Sequence, residues 1–159
     1  MKRSSRIELD RTDLRILDAL QRDGSLSAAE LAERVGLAVT TCWRRVKRLE
    51  DARVIRGRVA LLDRELLGLD LLCFVQISVQ RHHRDHIVAF EEAVRAMPEV
   101  LDCHHMTGEF DFLLKIVVAN RKALETLLVE RLSTLPGVTR LQTSVVLSEV
   151  KHVTEIPIE

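Results

Sequence analysis

The spacing of the apolar residues changes at Asp70, and that change limits the chain to a small set of folds. Before it, apolar residues recur at steps of three and four: Leu14, Leu17 and Leu20; then Leu31 and Val35; then Cys42, Val46 and Leu49. Such steps place each set on one face of a short helix. After it, Leu71, Cys73, Val75, Ile77 and Val79 alternate with Leu72, Phe74, Gln76, Ser78 and Gln80. That is a strand with one apolar and one mixed face. Three helices followed by mixed strands and helices make an α+β chain of two small domains.

The helical segment has its own punctuation. Asp10 can cap a first helix running to about Arg22, and Asp23-Gly24 ends it. Ser27-x-x-Glu30 is a capping box for the second helix, which Gly36 closes. The third helix follows almost at once, over Ala38 to Ala52. Two short helices joined by a tight glycine turn predict a helix-turn-helix. On the third helix, Thr40, Arg44, Lys47 and Arg48 fall opposite Cys42, Val46 and Leu49; Thr41 and Arg45 lie on the boundary and Trp43 on a flank. Cations for phosphates and guanine edges, with short hydroxyls near the helix start, suit the major groove of double-stranded DNA. The competing reading is a solvated amphipathic helix. Val54 to Leu62 is β-rich and carries Arg56 and Arg58, which reads as a strand of a winged hairpin. Residues 1–9 read as a mobile arm offering Lys2, Arg3 and Arg6 to a backbone, or as a frayed terminus.

Zero net charge speaks against a nucleic-acid binder, but its distribution speaks for one. Residues 1–62 hold 14 Lys and Arg against 9 Asp and Glu, whereas residues 63–159 hold 10 against 15. A basic half joined to an acidic half predicts a division of labour. No run approaches the ~18 apolar residues of a membrane span. The opening MKRSSRIELD lacks the apolar stretch of a secretory signal. Three cysteines, odd in number and without a CxxC pair, predict free thiols in the cytoplasm.

Asp63 to Leu69 reads as a short connector between domains at 1–62 and 70–159. In the second domain a helix starts near Asp85, with Ile87, Phe90, Val94 and Met97 inward, and Pro98 stops it. Val100 to Thr107 and Phe110 to Val118 read as strands joined by a two-residue loop, Gly108-Glu109. Asn120 caps another helix that Pro136-Gly137 ends, and Val138 to Leu147 is the last strand. The order βαββαβ is the ferredoxin-like arrangement, with both helices on one face of a four-stranded sheet. Its other face, half apolar, predicts pairing with a second copy.

Chemistry concentrates at Thr107-Gly108-Glu109-Phe110-Asp111. A glycine turn exposes backbone N–H groups to a carboxylate, and Glu109 and Asp111 can receive an ammonium. An amino acid carries both charges; the competing reading is an ordinary hairpin turn. His82 with His86, and Cys103-His104-His105, invite a metal, but neighbouring strand residues point apart, so no metal is expected. Cys42 shares the buried helix face and reads as core rather than redox sensor. No nucleophile–base order, phosphate loop or paired carboxylates stand out, so neither an enzyme nor a cofactor is expected.

Motifs spread over about 150 residues resemble the Lrp/AsnC family of transcription regulators. They are Leu9-Asp10-Arg11-Thr12-Asp13 with Ile16-Leu17; Leu31-Ala32 with Val35-Gly36-Leu37; Arg45-Val46-Lys47-Arg48-Leu49-Glu50; and Val54-Ile55. Leu62-Asp63 with Leu67-Gly68 follows, then Pro98-x-Val100, Thr107-Gly108-x-x-Asp111, Leu135-Pro136-Gly137-Val138 and Val150-Lys151. The resemblance implies a DNA-binding regulator, switched by a small amino acid through its oligomeric state. It implies dimers assembling into higher oligomers, octamers by the family pattern. It places the effector around the Gly108 turn, between adjacent dimers, with Thr143 and Ser144 close by. Thr41-Cys42-Trp43 and Val59 to Asp63 are most similar to a branch that senses a sulfur amino acid. Three departures stand out: Ala38 where the family has a capping Ser, Thr41 where such relatives have Pro, and Arg53 where the family has Gly. They leave open a second reading, a metabolite-binding oligomeric module with a weakened DNA-binding domain.

Overall fold

A computed structural model describes residues 7–80 and 84–158. Two compact units form. One comprises the chain up to Leu61 together with the segment from Lys151, and the other Leu62–Val150.

In the first unit, α1 (Arg11–Arg22) begins at Asp10, whose side chain accepts the Asp13 N–H at 2.8 Å while Asp13 returns a bond to the Asp10 N–H. The helix α2 (Ala28–Val35) starts in the same way, from Ser27 and Glu30. It stops at Gly36, whose φ of 66° lets the Gly36 and Leu37 N–H groups turn back onto Glu33 and Ala32 carbonyls. After that turn α3 (Val39–Asp51) starts at once. Ile16, Leu31, Ala32, Val35, Cys42 and Leu49 are buried together and hold the three helices around one small core. Burial of each large aliphatic side chain here contributes about 1.5–3 kcal/mol.

Both departures at the ends of α3 are visible. Ala38 is the N-cap and makes no side-chain bond; neither threonine shifts the start of the helix. Arg53 takes the place of glycine in its left-handed conformation, at φ 60°, with Arg53 N–H on Glu50 and Val54 N–H on Leu49.

The segment expected as a wing strand, Val54 to Leu62, pairs with no strand among the described residues. Ile55 packs on the helical core, but Val59, Leu61 and Leu62 are exposed. Arg56-Gly57-Arg58 interrupts the apolar alternation, and a hairpin strand needs a neighbour to take its backbone groups. The last residues also depart from expectation. They cluster with the first unit, where the Gln21 amide donates to the Ile156 carbonyl at 3.0 Å and accepts its N–H at 2.9 Å. Ile158 lies in the groove lined by Leu14, Ala19 and Val35.

In the second unit the connector is a self-closed turn. Asp63 accepts the N–H groups of Glu65 and Leu66, and the Arg64 guanidinium donates to the Leu69 and Asp70 carbonyls. There follow β1 (Leu71–Val79), α4 (Arg84–Arg95), β2 (Val100–His105), β3 (Phe112–Val118), α5 (Arg121–Thr126) and β4 (Val138–Val145). The sheet is antiparallel with order β2-β3-β1-β4, as the βαββαβ reading requires. Cys73, Val75 and Ile77 of β1 and Leu114 and Ile116 of β3 face the helices, around the Phe90 and Phe112 rings with centroids 4.6 Å apart. Asn120 caps α5 as expected, but the helix continues as a wider π-helix over Leu127–Leu132. That turn buries both Leu127 and Leu132 in the core. The β2–β3 loop is longer than two residues, closed by the Met106 N–H on the Asp111 carbonyl at 2.8 Å. Phe110 and Asp111 are buried in this loop, and the Asp111 N–H still donates to the Ile77 carbonyl of β1 at 2.9 Å.

Candidate DNA-reading helix and ligand turn

On α3 the structure sorts the expected cations into two groups. Arg45 and Arg48 both reach the carboxylate of Asp13, which is 0 % exposed; Arg45 lies at 2.9 Å and donates also to Asp10 at 2.7 Å. Asp13 accepts the Asp10 N–H as well, so this one carboxylate joins the start of α1 to the middle of α3. The Asp13 N–H bond, followed by Arg45, holds the Asp10 carboxyl below its usual range, and Asp10 and Asp13 in turn raise Arg45. Arg45 is thereby a positioning residue. Arg48 keeps about half its side chain exposed.

Thr40, Arg44 and Lys47 form the outward face. Arg44 makes no ion pair among the described residues, and Lys47 pairs only with exposed Asp51, one turn on, at 3.0 Å. Surface pairs of this kind are worth well under about 1 kcal/mol and yield readily to a phosphate. Thr41 is half-buried. The uncapped start of α3 leaves its first N–H groups without a side-chain acceptor. Arg56 and Arg58 are exposed on the irregular segment after α3, with Arg58 3.7 Å from Glu50. Cys42 is buried and burial pushes its thiol up, which leaves it inert.

The expected arm of residues 1–9 has Lys2, Arg3 and Arg6 outside the described residues, as is His82 of the candidate metal pair. Among the described residues no three His, Cys, Asp or Glu side chains converge. Nor is any described helix long and apolar enough to cross a membrane.

In the second unit Thr107, Gly108 and Asp111 line one cavity of about 390 Å³ with Val79, Ile87, His105, Met106 and Phe112. That volume is at the small end of the roughly 300–1,000 Å³ of small-molecule sites. Gly108 has φ 126°, a conformation denied to side-chain-bearing residues, so the turn depends on its glycine. Asp111 is 7 % exposed and accepts the Val79 N–H at 2.9 Å, while its own N–H donates to the Ile77 carbonyl. Asp111 therefore staples the turn to the end of β1 as well as lining the cavity. Glu109 points elsewhere, paired at 2.6 Å with Arg140, whose guanidinium covers the Phe110 ring.

Thr143 and Ser144 do not join this cavity within one chain. Thr143 pairs with Val75 and Ser144 with Phe74, about 13 and about 17 Å along the strand from Val79 at the usual rise. A second concavity of about 420 Å³ runs along β2, but its opposed charges, Glu91 and Arg95, already face one another at 3.6 Å.

The Asp10–Asp13 clamp is the part of the site that sequence reasoning missed. Its signal was present as Asp-x-x-Asp at the start of α1, a capping box with a second carboxylate left over for the two arginines of α3.

Known proteins resemble both units. A family model described as winged helix-turn-helix DNA-binding matches residues 9–56, and one described as Lrp/AsnC ligand binding domain matches residues 72–156. The DNA-binding transcriptional activator DecR of Escherichia coli K12 is 40% identical over 151 residues, 95% of this chain and 99% of that protein. The leucine-responsive regulatory protein of the same strain is 45% identical over 145 residues, 91% of this chain and 88% of that protein. Among solved structures, a Neisseria meningitidis transcriptional regulator in complex with L-Met aligns with TM-score 0.91 at 41% identity. It covers 94% of this chain and 97% of that one.

Proposed function

Because the chain belongs to the Lrp/AsnC family, and is thus a DNA-binding transcriptional regulator with a ligand-binding domain, we propose that α3 reads the major groove and that an amino acid bound at the Gly108 turn sets the assembly that does so. The observation that carries the first part is the outward face of Thr40, Arg44 and Lys47, opposite the buried Cys42, Val46 and Leu49. Arg44 is the candidate for a guanine edge. Lys47, Arg48, Arg56 and Arg58 serve phosphates, and Arg45 with Asp13 orients the helix. Arg44→Ala is expected to weaken a selected duplex by about 1–3 kcal/mol and to relax preference at one position, with the salt slope nearly kept. Gel-shift titrations at several salt concentrations check it. Unchanged affinity would remove α3 from the groove.

The effector reading rests on the cavity at Thr107, Gly108 and Asp111. Its N–H-rich turn suits a carboxylate and Asp111 an ammonium. Thr143 and Ser144, remote within one chain, are read as contributions from another copy, which makes the site dependent on assembly. L-Met, the ligand held by the Neisseria relative, is the first amino acid to test. Homodimers and higher oligomers are supported by the uncovered sheet face, where Phe74 is exposed, and by exposed Leu61, Leu62, Leu66 and Leu67. The chain acts as a regulator rather than an enzyme, in the cytoplasm, where its DNA partner lies. The module with a weakened DNA-binding domain loses support, because α3 forms in full despite Ala38 and Arg53.

A further inference from the structure

Trp43 is 59 % exposed and Val39 47 %, one turn apart on α3, and neither packs on the helical core. They are the one apolar stripe on an otherwise polar outer surface of this helix. At the helical period Trp43 sits about 40° from Lys47 and about 60° from Thr40, so the stripe borders the cationic face directly. A helix whose flank met only water gains nothing from an indole there, the single tryptophan of the chain. A partner that binds this stripe must offer apolar groups beside anionic ones. The major groove does so, because its base edges carry one apolar group, the C5-methyl of thymine, between two rows of phosphates.

Resting on the placement of α3 given above, we propose that Trp43, with Val39, is a specificity-determining residue that contacts thymine methyl groups in the major groove, next to the position read by Arg44. The indole meets the methyl face while Lys47 beside it takes the phosphate. Preference at this position then comes from burial of methyl surface and not from hydrogen bonds.

The test uses the full chain and a duplex that it selects from a randomised pool. Single deoxyuridines replace thymines and delete one methyl each. Wild type should lose about fourfold in affinity at each contacted thymine, the value of one buried methyl. Trp43→Ala should lose most of this discrimination and Trp43→Ala with Val39→Ala all of it, with unchanged salt dependence. Acrylamide quenching of Trp43 emission in wild type should fall on adding duplex. Equal wild-type affinity for thymine and uracil, with quenching unchanged in a demonstrably bound complex, would overturn the proposal and leave the placement of α3 standing. Emission already shielded in free protein, more so at higher concentration, would assign the stripe to a second copy and overturn it too. Failure to retain any duplex would remove the placement of α3 and this inference with it. If Trp43→Ala does not fold, the uracil and quenching measurements on wild type decide alone.

Discussion

The carboxylate of Asp13 is fully buried, yet it serves three donors: the Asp10 N–H, Arg45 and Arg48. A buried charge is tolerable only when it is paired and hydrogen-bonded in this way. Asp13→Asn keeps the shape and removes the charge. It should lower the stability of the first unit by about 1–3 kcal/mol, the worth of hydrogen bonds to a charged group, and weaken all duplexes through a loosened α3. Urea denaturation checks the first effect. The neighbouring Asp10 gives a pH signature. Its carboxyl is held below the usual range by the Asp13 N–H bond and then Arg45, so its contribution is complete above the unfolded value of about 3.9. That contribution disappears as pH falls through the lower folded value. Urea midpoints should therefore drop below about pH 4, and less steeply in Asp10→Ala.

At the scale of elements, α3 is the strained one. It begins without a cap and is followed by a non-glycine residue at φ 60°. Ala38→Ser should add about 1 kcal/mol by accepting a first-turn N–H, and Arg53→Gly about 1 kcal/mol by relieving the left-handed backbone. Thermal denaturation of the two variants and their combination checks both; the sites are at opposite ends of the helix, so the gains should add. Most elements were legible because each carries its own punctuation: Asp10, Ser27-x-x-Glu30, Gly36, Asn120. The alternation over Leu71 to Val79 likewise gave the strand and its buried face. What was not legible depends on contacts distant in sequence. Arg45 looks like a phosphate ligand until Asp13 is placed beneath it, and only the fold shows that half-exposed Arg48 shares the same carboxylate. Asp111 reads as a ligand carboxylate alone, and only the fold shows that one of its oxygens also accepts the Val79 N–H. Leu127–Leu132 repeats like any α-helix, and only the core it must fill selects the wider turn. The Val54 to Leu62 segment has the composition of a strand but no neighbour to pair with among the described residues.

For the whole molecule, the second unit presents a sheet face on which Phe74 is exposed and Leu113 half-buried among polar residues, while Leu72 and Val117 on the same face are already buried. Phe74 is the exposed centre of that face, between Lys115 and Ser144. Phe74→Glu places a charge where a second sheet would lie. Sedimentation at micromolar concentration should then show wild type as dimers or larger and Phe74→Glu shifted toward monomer, with the circular dichroism of the two alike. Assembly and ligand are linked in this account. A ligand shifts an assembly equilibrium only by its differential affinity for the two states. A cavity holding Thr107, Gly108 and Asp111 from one chain, completed by Thr143 and Ser144 from another, has that property. The most direct test is duplex binding with parallel sedimentation across an L-Met titration, for wild type and Asp111→Asn. The asparagine still accepts the Val79 N–H but no longer offers a charge to an ammonium. Wild type should shift in oligomeric state and change its duplex affinity by about 5- to 150-fold, whereas Asp111→Asn should bind duplex normally and respond to neither. An Asp111→Asn response with wild-type midpoint and amplitude would contradict the account.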